Sequence, residues 1–197
     1  MQSIKKWIII GSISGMLLIL IIYFILGYNS FVKKDEGVKN AWSEIQNAYQ
    51  RRLDLIPNLV GIVKGSSDYE RQVLADVAKA RSEVGSINYT GNATKNDYDQ
   101  SEQAQANVTN SMNKVIAVVE KYPDIQSTKS YTILMEQLKG SERRIKFARR
   151  DFNASVASYN QSVRSFPSNM IAHLFGFKQK EGFKSDVGAD TAPEVKF

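Results

Sequence analysis

The first element that the hydrophobic pattern indicates is a membrane span. Residues 7–26, WIIIGSISGMLLILIIYFIL, form an uncharged apolar run of about the 20 residues that a helix needs to cross roughly 30 Å of hydrocarbon. Trp7 at one end and Tyr23 and Tyr28 at the other suit the two membrane–water interfaces. The alternative is a cleaved signal peptide, but the run is longer than the usual stretch of about 7–15 residues, and the LGYN that follows lacks a small-residue cleavage site. A retained span is therefore favoured.

Beyond the span, apolar residues recur every three or four positions, which predicts an all-α fold. The pattern indicates a first helix over residues 28–64, a second over 69–84, a third from about 99 to 121, and a fourth, coiled-coil-like helix over 131–166. Pro57 is expected to kink the first helix because it removes one backbone hydrogen bond. Short connections make successive helices antiparallel. The predicted fold is a single N-terminal transmembrane helix followed by an elongated antiparallel bundle of about four helices.

This pattern divides the chain into an anchor (residues 1–27), a helical bundle (28–166) and a short amphipathic segment with a flexible tail (167–197). Because the first helix leaves the membrane and the fourth returns to it, residues whose numbers add up to about 196 are expected to lie at equal height. The end of the fourth helix, near Phe166, is then expected close to the membrane surface.

The segment after the fourth helix is short and apolar. In FPSNMIAHLFGF, Ser168 is predicted to cap a short helix and Gly176 to end it. Its large apolar residues form a candidate membrane-interface segment: Met170, Ile171, Leu174, Phe175 and Phe177. Two destinations remain open, because the segment can fold back onto the base of the bundle or dip into the lipid headgroup region as an interfacial helix. Residues 178–197 are rich in Lys, Gly, Asp and Pro and are predicted to form the flexible tail.

Composition excludes several kinds of chemistry. The absence of Cys rules out disulfides, thiolate metal sites and thiol nucleophiles. The single histidine, His173, cannot supply the paired imidazoles of a di-iron bundle, and no glycine-rich phosphate loop is present. The net charge of +6 is too small to indicate a nucleic-acid-binding protein. We therefore expect no enzymatic activity, no cofactor, no metal and no nucleic-acid partner.

Arginines are concentrated half-way along the first and fourth predicted helices. We call this set the basic belt, and it is a candidate surface for a partner or an anion: Arg51, Arg52, Arg143, Arg144, Arg149 and Arg150. Guanidinium groups recognise carboxylates and phosphates through paired hydrogen bonds. The alternative is an ordinary solvated face whose charges are balanced by Asp54, Glu142 and Asp151 through weak surface ion pairs.

Several motifs resemble the LemA family. They are YNSFV at 28–32, RRLDLIPNLV at 51–60, EKYPD at 120–124, SFPSN at 165–169 and FGF at 175–177. These motifs stand in the order of the family, and the resemblance covers nearly the whole chain. It implies an N-terminal membrane helix and a helical bundle, with no agreed enzymatic activity and no cofactor.

Together these features favour a membrane-tethered, non-enzymatic interaction or scaffold protein of the bacterial envelope that has another envelope protein as its partner. The alternative is a sensor or binding module for an anionic ligand or a lipid headgroup, which would use the basic belt. We expect an integral, single-pass protein of the bacterial cell membrane. Its bundle is predicted to be extracytoplasmic, because Lys5 and Lys6 form a short basic N-terminus before a long span.

The span also predicts self-association into a homo-oligomer. Gly11 and Gly15 form a G-x-x-x-G motif with two serines between them, which lets two helix backbones approach closely. Replacing either residue, as in Gly11→Ile or Gly15→Ile, is expected to lower the signal of a transmembrane-association reporter relative to the native span. Equal signals from the native and substituted spans would contradict this prediction.

Overall fold

The structure is a computed structural model, and it describes residues 2–63, 75, 78, 79, 82, 94–121 and 123–183. Within these residues the chain forms helices and connecting turns, without a β-strand. The helices are α1 (Gln2–Val63), α2 (Lys95–Val119), the single turn α3 (Pro123–Gln126), α4 (Lys129–Arg164) and α5 (Ser168–Phe175). The prediction of an all-α fold with a long apolar N-terminal helix is confirmed. The predicted helix over 69–84 lies outside the described residues, apart from four isolated helical positions.

The predicted span and the first predicted bundle helix form one helix. α1 is 62 residues long, and Pro57 lies inside it without ending it. Among the described residues, the N-terminal part of α1 is the one segment long and apolar enough to cross a membrane, with a mean hydropathy of 2.7 and none of that stretch buried in the protein. Its apolar side chains point outward, as the side chains of a lipid-exposed helix do. This part of α1 is the candidate membrane span.

The contacts divide the chain into two units. The first comprises Met1–Asn40 and Ala154–Lys180, and the second comprises Ala41–Asn153 and Glu181–Phe197. In the first unit, α1 and α4 are neighbours, and the ammonium group of Lys34 donates a hydrogen bond to the hydroxyl of Ser162. In the second unit, Arg52 of α1 forms an ion pair with Glu142 of α4. The residue numbers of these pairs add up to 196 and 194, in agreement with the predicted register.

The core of the second unit is the apolar stripe that the three-four spacing indicates. Buried side chains of α1, α2 and α4 interlock in one cluster, which includes Leu53, Ile56, Leu59, Val108, Met112, Val115, Leu134 and Leu138. These residues recur at intervals of three or four on each helix, and therefore they share one face. The net free energy of burying such side chains is the main favourable contribution to this packing.

An aromatic cluster completes the second unit and corrects one prediction. The ring of Trp42 lies 4.6 Å from that of Tyr98 and 5.9 Å from that of Phe183, and Phe183 is buried. The side-chain amide of Asn153 donates to the carbonyl of Phe183 (3.2 Å) and accepts from its N–H (2.9 Å). The predicted flexible tail therefore does not begin at Lys178, because the backbone of Phe183 is held by this amide and its ring fills the cluster.

The first unit holds the preceding part of the same segment in a similar way. The amide of Asn160 donates to the carbonyl of Lys180 (2.7 Å) and accepts from its N–H (2.8 Å). The ammonium group of Lys180 also forms an ion pair with Asp35 of α1 (2.7 Å). Although burial raises the pKa of Asp35, hydrogen bonds from Lys180 and Lys39 outweigh that effect and hold the pKa below its usual value. The segment is thus fixed by polar contacts to α4 and α1.

The aromatic cluster predicts a specific loss of stability. Phe183→Ala is expected to lower the free energy of unfolding by about 3–5 kcal/mol, because it removes a buried ring from a packed cluster. The matched control is Phe147→Ala, which removes a ring that is 52% exposed and is expected to change stability by about 0.5 kcal/mol or less. Urea unfolding of the full chain in detergent micelles, followed by circular dichroism, measures both. Equal unfolding midpoints would show that Phe183 is not part of the core.

Candidate functional site

The basic belt splits into two groups in the structure. All six arginines belong to the second unit. Arg52 and Arg149 are engaged in contacts between helices, whereas four others are on the surface: Arg51, Arg143, Arg144 and Arg150. The six arginines therefore do not form a single exposed surface.

Arg52 is a structural residue. It is buried, forms an ion pair with Glu142 of α4, and donates hydrogen bonds to the side-chain oxygens of Gln105 (3.2 Å) and Thr109 (3.1 Å) of α2. Burial lowers the pKa of its guanidinium group, and the charges of Glu142 and Tyr49 oppose this shift. The guanidinium group keeps its proton despite this lowered pKa, because the ordinary pKa of arginine lies far above neutral pH. Arg52 thus links α1 to two other helices and is not available to a partner.

Arg149 is likewise used inside the protein. Its guanidinium group donates to the carboxylate of Glu102 on α2 at 2.6 Å, and the group also lies over the ring of Phe183, 4.6 Å from the ring centroid. A guanidinium group at this distance from an aromatic face is attracted by the ring's quadrupole. Arg149 therefore helps to hold the segment that contains Phe183 and contributes no free cation to the surface.

The remaining arginines include two that line an open groove in the second unit. This α1–α4 groove has a volume of about 450 Å³ and is lined by Glu44, Asn47, Ala48, Arg51, Arg144, Phe147, Ala148 and Asp151. On each helix these positions are three or four residues apart and therefore share one face. Ala48 and Ala148 are too small to fill the space between the longer neighbouring side chains, which explains why a hollow forms here. Arg143 is exposed but does not line the groove.

An exposed aromatic ring lies in this groove. Phe147 is 52% exposed, and the guanidinium group of Arg150 lies 5.1 Å from the centroid of its ring. Arg150 also forms an ion pair with the adjacent Asp151 at 2.9 Å. The groove thus combines an apolar ring with guanidinium groups. Side chains of these two kinds are enriched at protein–protein interfaces.

Sequence reasoning missed Phe147. The buried residues of this part of α4 are Ser141, Ile145 and Phe152, and Phe147 falls outside their three-four spacing. The signal that could have identified Phe147 in the sequence is a large aromatic residue that does not fit the spacing of the buried residues. The prediction was based on charge, and therefore it selected the arginines but not the adjacent Phe147.

The candidate membrane-interface segment also divides into two faces, both in the first unit. Ile171 is 1% exposed and packs against α1 at Gly27, where an added Cβ atom would collide with the end of its side chain. The ring of Phe177 stacks on that of Phe31, with centroids 4.9 Å apart. Met170 and Leu174 lie on the outer side and are exposed. Phe175, also exposed, contacts Tyr28 through its ring at 4.9 Å. The segment folds back onto α1 with one face and leaves another uncovered.

The ends of α5 agree with one prediction and correct another. Gly176 ends the helix in the left-handed conformation, with φ of 76°, as predicted. Ser168 does not cap the helix start. Its hydroxyl donates instead to the carbonyls of Ser162 and Ser165, at 2.7 and 2.8 Å, and Pro167 occupies the capping position without a side-chain hydrogen bond. The hydroxyl is thus used to satisfy a carbonyl in the last turn of α4, where helical carbonyls lack the usual backbone partner.

The described part of the chain contains no group of three or more His, Asp or Glu side chains that could hold a metal ion. His173 is exposed on α5.

Comparison with known proteins places these features in a family. Two relatives are the magnetosome protein MamQ 2 of Paramagnetospirillum magneticum and the magnetosome protein MamQ of Magnetospirillum gryphiswaldense. Each is 29% identical to this chain in an alignment of 185 residues, and the match covers 85% of this chain and 68% of the relative. A third is the protein LemA of Metamycoplasma hominis, 23% identical over 154 residues, 77% of this chain and 67% of the relative. The model of the LemA family matches residues 41–197, which include the groove and α5. This chain belongs to the LemA family.

Proposed function

We propose that this protein is a membrane-tethered, non-enzymatic scaffold that binds another envelope protein through the α1–α4 groove. The tether is the apolar first part of α1. A short basic N-terminus, Lys5 and Lys6, before a long apolar span resembles a signal anchor and supports an extracytoplasmic position for the bundle, although Lys33, Lys34 and Lys39 on the other side oppose it. The names of the family relatives state no reaction, which supports a role in binding rather than catalysis. One observation carries the proposal, namely an exposed phenylalanine among arginines in an open groove.

Phe147 is a large aromatic side chain that the bundle leaves exposed in a groove lined by Arg51 and Arg144. The neighbouring Phe152 is fully buried and contributes to the aromatic cluster, whereas half of the Phe147 ring faces solvent. Aromatic rings and arginines provide most of the binding energy at the centres of protein interfaces. Because the ring contributes little to the stability of the bundle, binding a partner is the function that its position supports best.

The shape of the groove favours a protein over a small molecule. Small-molecule sites usually enclose most of the surface of their ligand. The α1–α4 groove is open along one side and its walls are two helices, which suits a few side chains of a docked protein segment. This geometry supports the scaffold over the alternative of a sensor for a small anionic ligand.

The charges indicate the chemistry of the partner. Residues 142–151 carry five Lys and Arg side chains but only two carboxylates. Of these cations, Arg149 is used internally. Arg144 lines the groove, whereas Arg143 lies outside it. The groove lining itself holds two arginines, Arg51 and Arg144, and two carboxylates, Glu44 and Asp151. A complementary partner therefore presents both charges, with a carboxylate at Arg144, and an apolar side chain that covers Phe147. Charge complementarity of this kind sets specificity and the rate of association.

Site-specific photocrosslinking in native membranes tests the proposal. A photoreactive amino acid replaces Phe147 in the full chain, and the matched control replaces Gln103, which is exposed on α2. We expect one discrete protein adduct from position 147 and none from position 103. Arg144→Glu is expected to reduce the adduct about tenfold or more, since a central interface arginine contributes roughly 2 kcal/mol. Arg143→Glu, outside the groove, should leave it unchanged.

Three outcomes would contradict the proposal. A lipid or small-molecule adduct at position 147 would favour the sensor. Equal adducts from positions 147 and 103 would indicate random collision. Equal losses with Arg143→Glu and Arg144→Glu would indicate general charge attraction and not a defined groove.

A further inference from the structure

A second surface, separate from the groove, lies on α5 in the first unit. We call it the α5 outer face, and its residues are Met170 and Leu174 of α5 together with Phe166, two residues before the helix begins. These side chains are 81%, 58% and 66% exposed. Met170 and Leu174 are four residues apart and therefore lie one above the other on the same side of the helix. An exposed, continuous apolar patch of this kind marks a surface that binds another protein or a membrane.

The opposite face of α5 fixes where this patch lies along α1. Ile171 and Ala172 are each 1% exposed, and Ile171 packs at Gly27. Immediately after α5, Phe177 stacks on Phe31 and also contacts Tyr28, with ring centroids 5.7 Å apart. Because a side chain at position 27 would collide with Ile171, the glycine permits this close approach. The helix is therefore docked against residues 27–31 of α1.

The height of this docking position coincides with the edge of the membrane span. The apolar run ends at Leu26, and its residues suffice to cross about 30 Å of hydrocarbon. At about 1.5 Å per residue, the stretch 27–31 rises roughly 6–8 Å beyond the hydrocarbon. The headgroup layer of each leaflet is about 5–8 Å thick. The α5 outer face therefore lies at the depth of the headgroups and not in bulk water.

The polar surroundings of α5 fit a bilayer surface as well. Stretches 27–40 and 164–180 together carry six Lys and Arg side chains and two carboxylates. Both carboxylates are paired, Asp35 with Lys39 and Lys180, and Glu36 with Lys39. Exposed Lys33, Arg164 and Lys178 add positive charge, and cations close to the bilayer are attracted to anionic lipids.

We propose that α5 is an interfacial helix, which lies in the lipid headgroup region beside the span and buries its outer face at the boundary with the acyl chains. The occupant of this face is the bilayer surface, because the patch is continuous with the span that the same unit contains. Tyr28 lies between the two and suits the same boundary, where aromatic rings are enriched. The helix thus gives the protein a second contact with the membrane in addition to the span.

Spin labelling of the full chain tests this proposal directly. The chain has no cysteine, so a single cysteine can carry a nitroxide label without competing sites. One protein carries the label at Leu174 and the control carries it at Ala157, which is exposed on α4 in the same unit. Both are reconstituted in phosphatidylcholine–phosphatidylglycerol vesicles. We expect the label at 174 to be accessible to oxygen and shielded from a water-soluble nickel relaxant, and the label at 157 to show the reverse.

A second measurement separates insertion from a general effect on folding. In this measurement the nitroxide label is placed at position 173. The double substitution Met170→Asp and Leu174→Asp is expected to make this label more accessible to nickel. The inserted population should fall about tenfold or more, because carboxylates are disfavoured near hydrocarbon. The milder pair Met170→Ser and Leu174→Ser should produce a smaller change in the same direction. The matched control, Ala157→Asp and Gln161→Asp, places the same charges on an exposed face of α4 and should have no effect.

Two results would overturn the proposal. The first is equal exposure to nickel at positions 174 and 157, which would leave the α5 outer face in water. The second is spin–spin broadening at position 174 together with shielding from both oxygen and nickel, which would show that a second copy of the chain covers the face.

Discussion

A helix that crosses hydrocarbon must satisfy all of its backbone hydrogen bonds internally, and in this chain the helix that carries the candidate span continues beyond it. α1 does not end at Leu26, where its apolar run ends, but extends to Val63. Its buried stripe begins at Phe31, close to the edge of the span. The other packing depends on this continuity, because α5 docks on the first turn beyond the span and α4 packs against α1 within each unit. An interruption of α1 near Gly27 would separate the anchor from its first tertiary contacts.

Local periodicity explains how much of this fold could be predicted from the sequence. The bounds of α1, α2 and α4 follow from apolar residues at intervals of three and four, and Gly176 ends α5 because a left-handed residue there favours glycine. The segment that leads to Phe183 could not be predicted in the same way. It has no periodicity of its own, and its position depends on amide groups of α4 that are distant in sequence. A composition typical of a flexible tail therefore indicated the wrong structure for residues 178–183.

In the candidate site as well, composition identified the charged residues, but only the geometry showed which of them are free to bind a partner. Counting charges identified the basic belt but could not separate Arg52 and Arg149, which hold helices together, from Arg51 and Arg144, which line a groove. That distinction depends on which acidic side chains face each arginine from another helix. The groove itself depends on the absence of volume at Ala48 and Ala148, a feature that becomes meaningful only when the two helices are paired. Binding of a partner in this groove is a prediction.

Hydrogen–deuterium exchange of the full chain in lipid vesicles tests whether α1 passes from the membrane into the bundle as one unbroken helix. The informative amides are those of residues 27–38, which lie beyond the apolar run and carry the first contacts with α4 and α5. Unbroken helical hydrogen bonding predicts that these amides exchange slowly, without a gap between the span and the bundle. A fast-exchanging stretch between Gly27 and Lys33 would reveal a flexible joint there, and α1 would then not be a single helix from the span into the bundle.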